Sequence, residues 1–210
     1  MVVHEIKHPL VQHKMTLIRD SQTKPKLFRE LAAELATVLM YECLREVRTE
    51  SKIVAGWAGK FEGERLPIEN LTVVPILRAG LGLLPGVLHA VPHAEVSMVG
   101  MYRDEQTLEP KPYFQKPVDR IATRTAIIID PMLATGGTCV ATVDMLREAG
   151  CRSFCALFMV AAPEGLKRLE SAHPEITVFT AAIDDGLNDA GYILPGLGDA
   201  GDRIFGTSIG

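Results

Sequence analysis

Strong charge of either sign is missing from this chain: 22 Lys and Arg stand against 26 Asp and Glu, a formal net charge of −4 over 210 residues. A marked basic excess is the footprint of proteins that coat nucleic acid, so nucleic acid is excluded as a main partner. No window of ~18 residues runs free of charge or proline, which excludes a membrane-spanning helix. The N-terminus, MVVHEIKHPL, lacks the basic-then-apolar layout of a secretory signal, and a cytoplasmic location is expected. Cysteines are few: Cys43, Cys139, Cys151 and Cys155, with no CxxC pair among them. A disulfide framework or a cysteine metal site is therefore not expected, and reduced thiols are. His4, His8, His13, His89 and His93 have no carboxylate partner at ligand spacing and read as solvated. Internal repeats and low-complexity tracts are absent as well.

What is present is an ordinary globular mixture, 47% apolar and 23% charged, long enough to bury a core without staples. Residues 26–48 place Leu27, Leu31, Leu35, Val38 and Leu39 at helical spacing, with Pro25 suited to a first turn. A loop with Gly56, Gly59 and Gly63 follows, then an apolar strand over 71–77, a helix over 81–90 and a strand over 95–102. Residues 125–129 (TAIII) form a continuous apolar run of the kind buried on both faces of a parallel sheet. A helix over 137–150, closed by Gly150, precedes a strand over 151–161, a helix over 163–172 and a strand over 176–181. This alternation predicts an α/β fold, a doubly wound and mainly parallel sheet, in one domain over 1–210. Two segments break the rhythm: a polar, proline-punctuated stretch around 103–120, expected to be an exposed hairpin or flap, and a Gly- and Asp-rich tail over 184–210.

The most informative residues are IIIDPMLATGGT, 127–138. A buried strand ends at Asp130, and Thr135-Gly136-Gly137-Thr138 opens a helix. Ligands of open α/β sheets bind beyond the carboxyl ends of strands. Glycines let the backbone approach an anion, whose oxygens the free N–H groups of the helix start and two Thr hydroxyls can meet. A plain tight turn is the alternative, but Thr on both sides of Gly-Gly after a strand-end acid is unusual for one. There is no GxxxxGK[ST], so this is not a P-loop. A formal GxGxxG at Gly196–Gly201 follows a proline, with too few residues after it for a dinucleotide-binding βαβ unit.

Strand, acid and A-T-G-G-T resemble the 5-phosphoribosyl 1-diphosphate (PRPP) motif of type I phosphoribosyltransferases. The form D-P-M-L-A-T-G-G-T is similar to that of the uracil phosphoribosyltransferase family, as are PILRAGLG at 75–82 and YILPGLGDAGDR at 192–203. The usual acidic pair is here Asp130-Pro131, one carboxylate in place of two. The resemblance implies transfer of the phosphoribosyl group from PRPP to N1 of uracil, giving UMP and diphosphate. It implies PRPP contacts by Asp130, Pro131, Met132, Leu133, Ala134, Thr135, Gly136, Gly137 and Thr138, and by Arg78, Arg103 and Asp199. Asp199 and Arg103 are the implied catalytic residues, Asp199 partly making up for the acid replaced by Pro131. On its residues alone Arg103 is equally an ordinary solvated arginine. Ile193, Gly198, Asp199 and Ala200 would bind uracil, largely through backbone groups in a tail, about 184–210, that forms a hood over the base. A flap over about 103–116 would close on the diphosphate. Mg²⁺ would arrive with PRPP, with no protein metal ligand implied, and the resemblance extends to a homo-oligomer and, in some members, a GTP effector. Cys139 sits at a helix start, which favours a thiolate, but the chemistry needs no covalent nucleophile. A transferase for another base, or a nucleotide sensor on the same fold, are the rival functions.

Overall fold

The computed structural model describes residues 1–103 and 110–207, with the Arg103 and Pro110 side chains, residues 104–109 of the expected flap and 208–210 of the tail lying outside the described residues. The chain runs through Val2–Glu5 (β1), Pro9–Arg19 (α1), Pro25–Cys43 (α2), Glu50–Gly56 (β2), Gly59–Arg65 (β3) and Leu71–Leu77 (β4). Leu84–Ala90 (α3), Glu95–Val96 (β5), Met98–Arg103 (β6), Pro110–Lys116 (β7), Thr125–Ile129 (β8), Met132–Leu133 (β9) and Gly137–Glu148 (α4) follow. Ser153–Ala161 (β10), Pro163–Ala172 (α5), Thr177–Ile183 (β11), Gly186–Leu187 (β12), Ile193–Leu194 (β13) and Ala200–Phe205 (α6) complete it. The main sheet has the order β1-β11-β10-β8-β4-β6-β7, parallel throughout except for the β6–β7 hairpin.

Alternation along the central strands sorts side chains to two cores. Val73, Ile127, Ile129, Leu157 and Met159 pack with α1, α2 and α3. Val74, Ile128, Ala156 and Phe158 pack on the other face with α4 and α5. Because both faces are covered, β8 has no polar position to alternate, which is why TAIII reads as one apolar run. Each fully buried Ile, Leu or Phe removes enough apolar surface to contribute ~1.5–3 kcal/mol.

Several boundaries differ from the sequence expectation. The helix expected over 26–48 stops at Cys43, and the helix expected from Leu81 begins as a 3-10 turn over Ala79–Gly82 before α3. The strand expected over 95–102 breaks at buried Ser97, whose hydroxyl pairs with Thr72 Oγ1 at 2.9 Å and accepts the Val118 N–H at 3.0 Å. The glycine-containing loop after α2 is in fact the antiparallel hairpin β2–β3, pairing Glu50 with Arg65 through Gly56 with Gly59. It carries no alternating strand pattern because neither face is buried: Ile53 is 74% exposed and Trp57, in the turn, fully so. The N-terminal segment is also ordered. Val11, Met15 and Ile18 are buried at helical spacing, Pro9 sits in the first turn, and His8 Nδ1 accepts the Leu10 N–H. His4, His8, His13, His89 and His93 are exposed, as expected.

Candidate active site

The segment 130–138 lies at the carboxyl end of β8, between β4 and β10. Asp130 continues the strand pairing by donating its N–H to Leu157 O at 3.2 Å. Pro131 is buried, and its carbonyl accepts the Met159 and Val160 N–H groups at 3.0 and 3.1 Å. That dipeptide stitches the loop to β10, a task for which proline, lacking only an N–H, is competent. Gly136 then adopts φ +78°, and a Cβ there would lie 2.7 Å from Gly165 O. A left-handed, closely approached position of this kind requires glycine. The four free N–H groups of the α4 start therefore follow the loop directly.

Around this loop is a cavity of about 280 Å³ lined by Arg78, Ala79, Asp130, Met132, Leu133, Ala134, Thr135, Gly136, Thr138, Cys139, Asp199 and Gly201. Arg78 directly follows β4, the strand beside β8, so two neighbouring strand ends deliver a guanidinium and a carboxyl to one pocket. Pro131 and Gly137 belong to the loop but do not line the cavity. Burial at the strand ends pushes the Asp130 carboxyl up to about 8, partly offset by a hydrogen bond from the Met132 N–H. Part of the residue still reaches the cavity, where an arriving cation would draw the proton off. The Cys139 thiol is pushed up by burial first and by Asp130 second, so it stays protonated despite its place at a helix start.

The tail builds the adjoining wall. β12 and β13 pair antiparallel, and the turn between them is closed by Asn188 Oδ1, which accepts the Ala190 and Tyr192 N–H groups at 3.0 and 2.9 Å. The Leu194–Pro195 peptide is cis, and Gly196 at φ +64° brings the chain back so tightly that a Cβ would sit 2.1 Å from Ile193 O. Asp199 caps α6, its Oδ1 accepting the Asp202 N–H at 2.9 Å. A second cavity of about 250 Å³ is lined by Met132, Ala134, Ala190, Gly191, Tyr192, Ile193 and Asp199. The two cavities share Met132, Ala134 and Asp199. Gly198 and Ala200 flank Asp199 without lining either cavity.

Of the residues singled out in the sequence, Arg78, Asp130, the 132–138 loop, Ile193 and Asp199 thus come together, while the Arg103 side chain lies outside the described residues. The cavity-lining Ala79, Tyr192 and Gly201 fall within the motifs at 75–82 and 192–203 but were given no role from the sequence, and Ala190 and Gly191 were not singled out at all. Sequence reasoning also missed Arg19 and Asp184, which meet beneath the tail.

A mainly parallel α/β sheet with a glycine-rich loop and helix start after one central strand, an arginine after its neighbour and C-terminal chain walling the same cavity has the architecture of a type I phosphoribosyltransferase, a class that transfers a phosphoribosyl group to a nucleobase. Residues 5–207 match the model of the uracil phosphoribosyltransferase family, and the chain belongs to that family. The structure is similar to that of the AQ2163 protein from Aquifex aeolicus, 39% identical with all of both chains covered and a TM-score of 0.95. It shares its fold with adenine phosphoribosyltransferase from Trypanosoma brucei, solved with AMP, pyrophosphate and ribose-5-phosphate, at 11% identity and TM-score 0.58 over 90% of this chain and 86% of that one. Adenine phosphoribosyltransferase from Thermoanaerobacter pseudethanolicus has the same fold, at 12% identity and TM-score 0.56 over 82% and 99% of the two chains. Among the described residues no helix is long and apolar enough to cross a membrane.

Proposed function

We propose that the nucleobase is uracil: N1 of uracil displaces diphosphate from C1 of PRPP with inversion, giving UMP and returning free pyrimidine to the nucleotide pool. One observation carries this reading. The phosphate-loop cavity and the tail cavity meet at Asp199, so a sugar phosphate in the first presents its C1 towards a base in the second. The free N–H groups at the start of α4 and the Thr135 and Thr138 hydroxyls receive the 5-phosphate, and Asp130 the ribose hydroxyls. Arg78 meets the diphosphate with a guanidinium fork. Arg103, at the head of the flap, adds a second cation to the departing diphosphate. Carbocation-like character builds on the sugar during displacement, and the Asp199 carboxylate at the cavity junction stabilises it.

Uracil presents O2, N3–H and O4, an acceptor–donor–acceptor edge. Backbone groups of Ile193, which lines the tail cavity, and of Gly198 and Ala200, which flank its Asp199, are assigned to reading it; the Gly198 and Ala200 N–H groups make no hydrogen bond among the described residues. Cytosine would leave a donor and an acceptor of such a site unpaired, which a hydrogen-bonding pocket penalises strongly. The residues also fit Mg²⁺ brought in on PRPP. Among the described residues no cluster of three or more His, Cys, Asp or Glu could hold a metal by itself, whereas Asp130 and Asp199 face one cavity. Magnesium commonly rests on substrate phosphates with one or two carboxylates and water. When bound it would neutralise charge on the leaving diphosphate.

On this reading residues 1–210 act as one catalytic domain, with a flap over about 103–116 and a base-reading tail over 184–210. The test is diphosphate release from Mg·PRPP with uracil, cytosine, adenine or guanine as the acceptor. Uracil alone should support turnover; turnover with a purine and none with uracil overturns the assignment. Running the assay with and without GTP, beside a measurement of molecular size, tests the effector and the homo-oligomer, which rest on the family resemblance.

A further inference from the structure

The turn that carries the base-reading groups is held from beneath by an ion pair, whose arginine is remote from the turn in sequence, and by the nearby Arg203. Arg19, the last residue of α1, donates from Nη1 and Nη2 to the two oxygens of Asp184 at 2.8 and 2.6 Å. The same Nη1 donates to Gly196 O at 2.8 Å, and Asp184 Oδ2 accepts the Gly196 N–H at 2.8 Å. Both polar groups of Gly196 are therefore taken, one by each member of the pair. Asp184 is buried, with 3% of its side chain exposed against 24% for Arg19, and its own N–H is tied to Ala161 O at the end of β10. The clamp thus connects the turn to the central sheet. Next along the turn, Leu197 O accepts from Arg203 Nη1 at 2.8 Å. That guanidinium also donates to Ile18 O and Asp20 O at 2.7 and 2.6 Å and lies 4.5 Å from the Phe28 ring centre. The residues on either side of α1's end are therefore gripped by the tail they support.

We infer that Arg19 and Asp184 are positioning residues for base selection: by pinning Gly196 they set the distance between Ile193 on one side of the turn and Gly198–Ala200 on the other, and so the width of the base edge the site accepts. The inference rests on the reading of 193–200 as the base-reading segment. The physical need is specific. Backbone groups read a base only when their spacing is fixed, because misplacement of about 1 Å forfeits the alignment on which such selection depends. Glycine at 196 supplies the turn but no stiffness of its own. A guanidinium can engage both a carboxylate and a carbonyl through separate N–H groups, whereas an ammonium is a point charge without that fork.

Arg19→Lys, which keeps the charge, and Asp184→Asn, which keeps the shape, test this with kinetics in uracil and PRPP varied separately. The expected result is a rise of roughly tenfold or more in KM for uracil, with KM for PRPP within about twofold, and a fall in the ratio of uracil to cytosine kcat/KM. Leu146→Ala, buried near the far end of α4 on the opposite face of the sheet, serves as a control that loses stability without touching the turn. Its base selectivity should stay at the wild-type value. Unchanged KM for uracil in both clamp variants overturns the inference. So does a parallel shift of both KM values and selectivity in the control. If one variant fails to fold, the other still reports on Gly196, and thermal melting identifies which did. Wild-type enzyme that turns over a different base would refute the uracil assignment, and the clamp is then judged by KM for that base.

Discussion

Replacing Asp130 by asparagine changes one oxygen to an NH₂ group and removes a titration that the fold has displaced. Burial lifts this carboxyl from 3.8 to about 8, against a smaller opposing effect of the Met132 N–H. The folded protein therefore holds a proton on Asp130 across a range where the unfolded chain has already lost it. The sign follows: this group's contribution to stability is fully present below the unfolded pKa and is lost as pH rises towards 8. Each pH unit inside that window is worth ~1.4 kcal/mol, so moving from about pH 5 to pH 7 costs up to ~3 kcal/mol. For a chain of this size that corresponds to a fall in Tm on the order of 5–10 °C attributable to one side chain. The amide of Asp130→Asn does not titrate, so the variant's Tm should decline less steeply over the same interval. All other carboxylates and histidines are common to both proteins, and the difference in slope isolates position 130. Thermal melts of ligand-free protein at four pH values suffice. Parallel curves would show that the carboxyl is ionised in the folded state and refute the electrostatic reasoning.

Gly136→Ala sets a Cβ 2.7 Å from Gly165 O at φ +78°; a loss of ~2–3 kcal/mol in urea unfolding is expected, together with a higher KM for PRPP. Asp199 needs two variants, because its carboxylate also caps α6. Asp199→Ala should lose ~1 kcal/mol of stability and cripple turnover, while Asp199→Asn should retain the cap and Tm yet lose turnover by roughly a hundredfold. Full activity of Asp199→Asn would remove the carboxylate from the proposed chemistry.

Much of this molecule is written locally. The apolar run 125–129, the acid at its end and the Thr-Gly-Gly-Thr helix start specify a buried parallel strand feeding a tight glycine turn into a helix, and the structure holds them in that order. Helical spacing over 163–172 and the glycine after α4 likewise mark their elements. The hairpin β2–β3 was not legible, since strand patterns are recognised by a buried face and this one has none. Helix α1 has the right periodicity, but only three buried positions in eleven residues mark it.

By itself, then, the sequence determined the layered α/β class, the glycine turn into a helix after residues 125–130 and the family-like motifs at 75–82 and 192–203, because each is a short-range pattern of period, turn chemistry and charge. Tertiary structure alone decided that residues 130 and 199 share a cavity, that burial raises the pKa of the Asp130 carboxyl, and that Arg19 and Asp184 pin Gly196. Those depend on burial and on distances between segments remote in sequence, 165 residues apart for Arg19 and Asp184. Both are set by how the sheet and helices pack, which no local window contains.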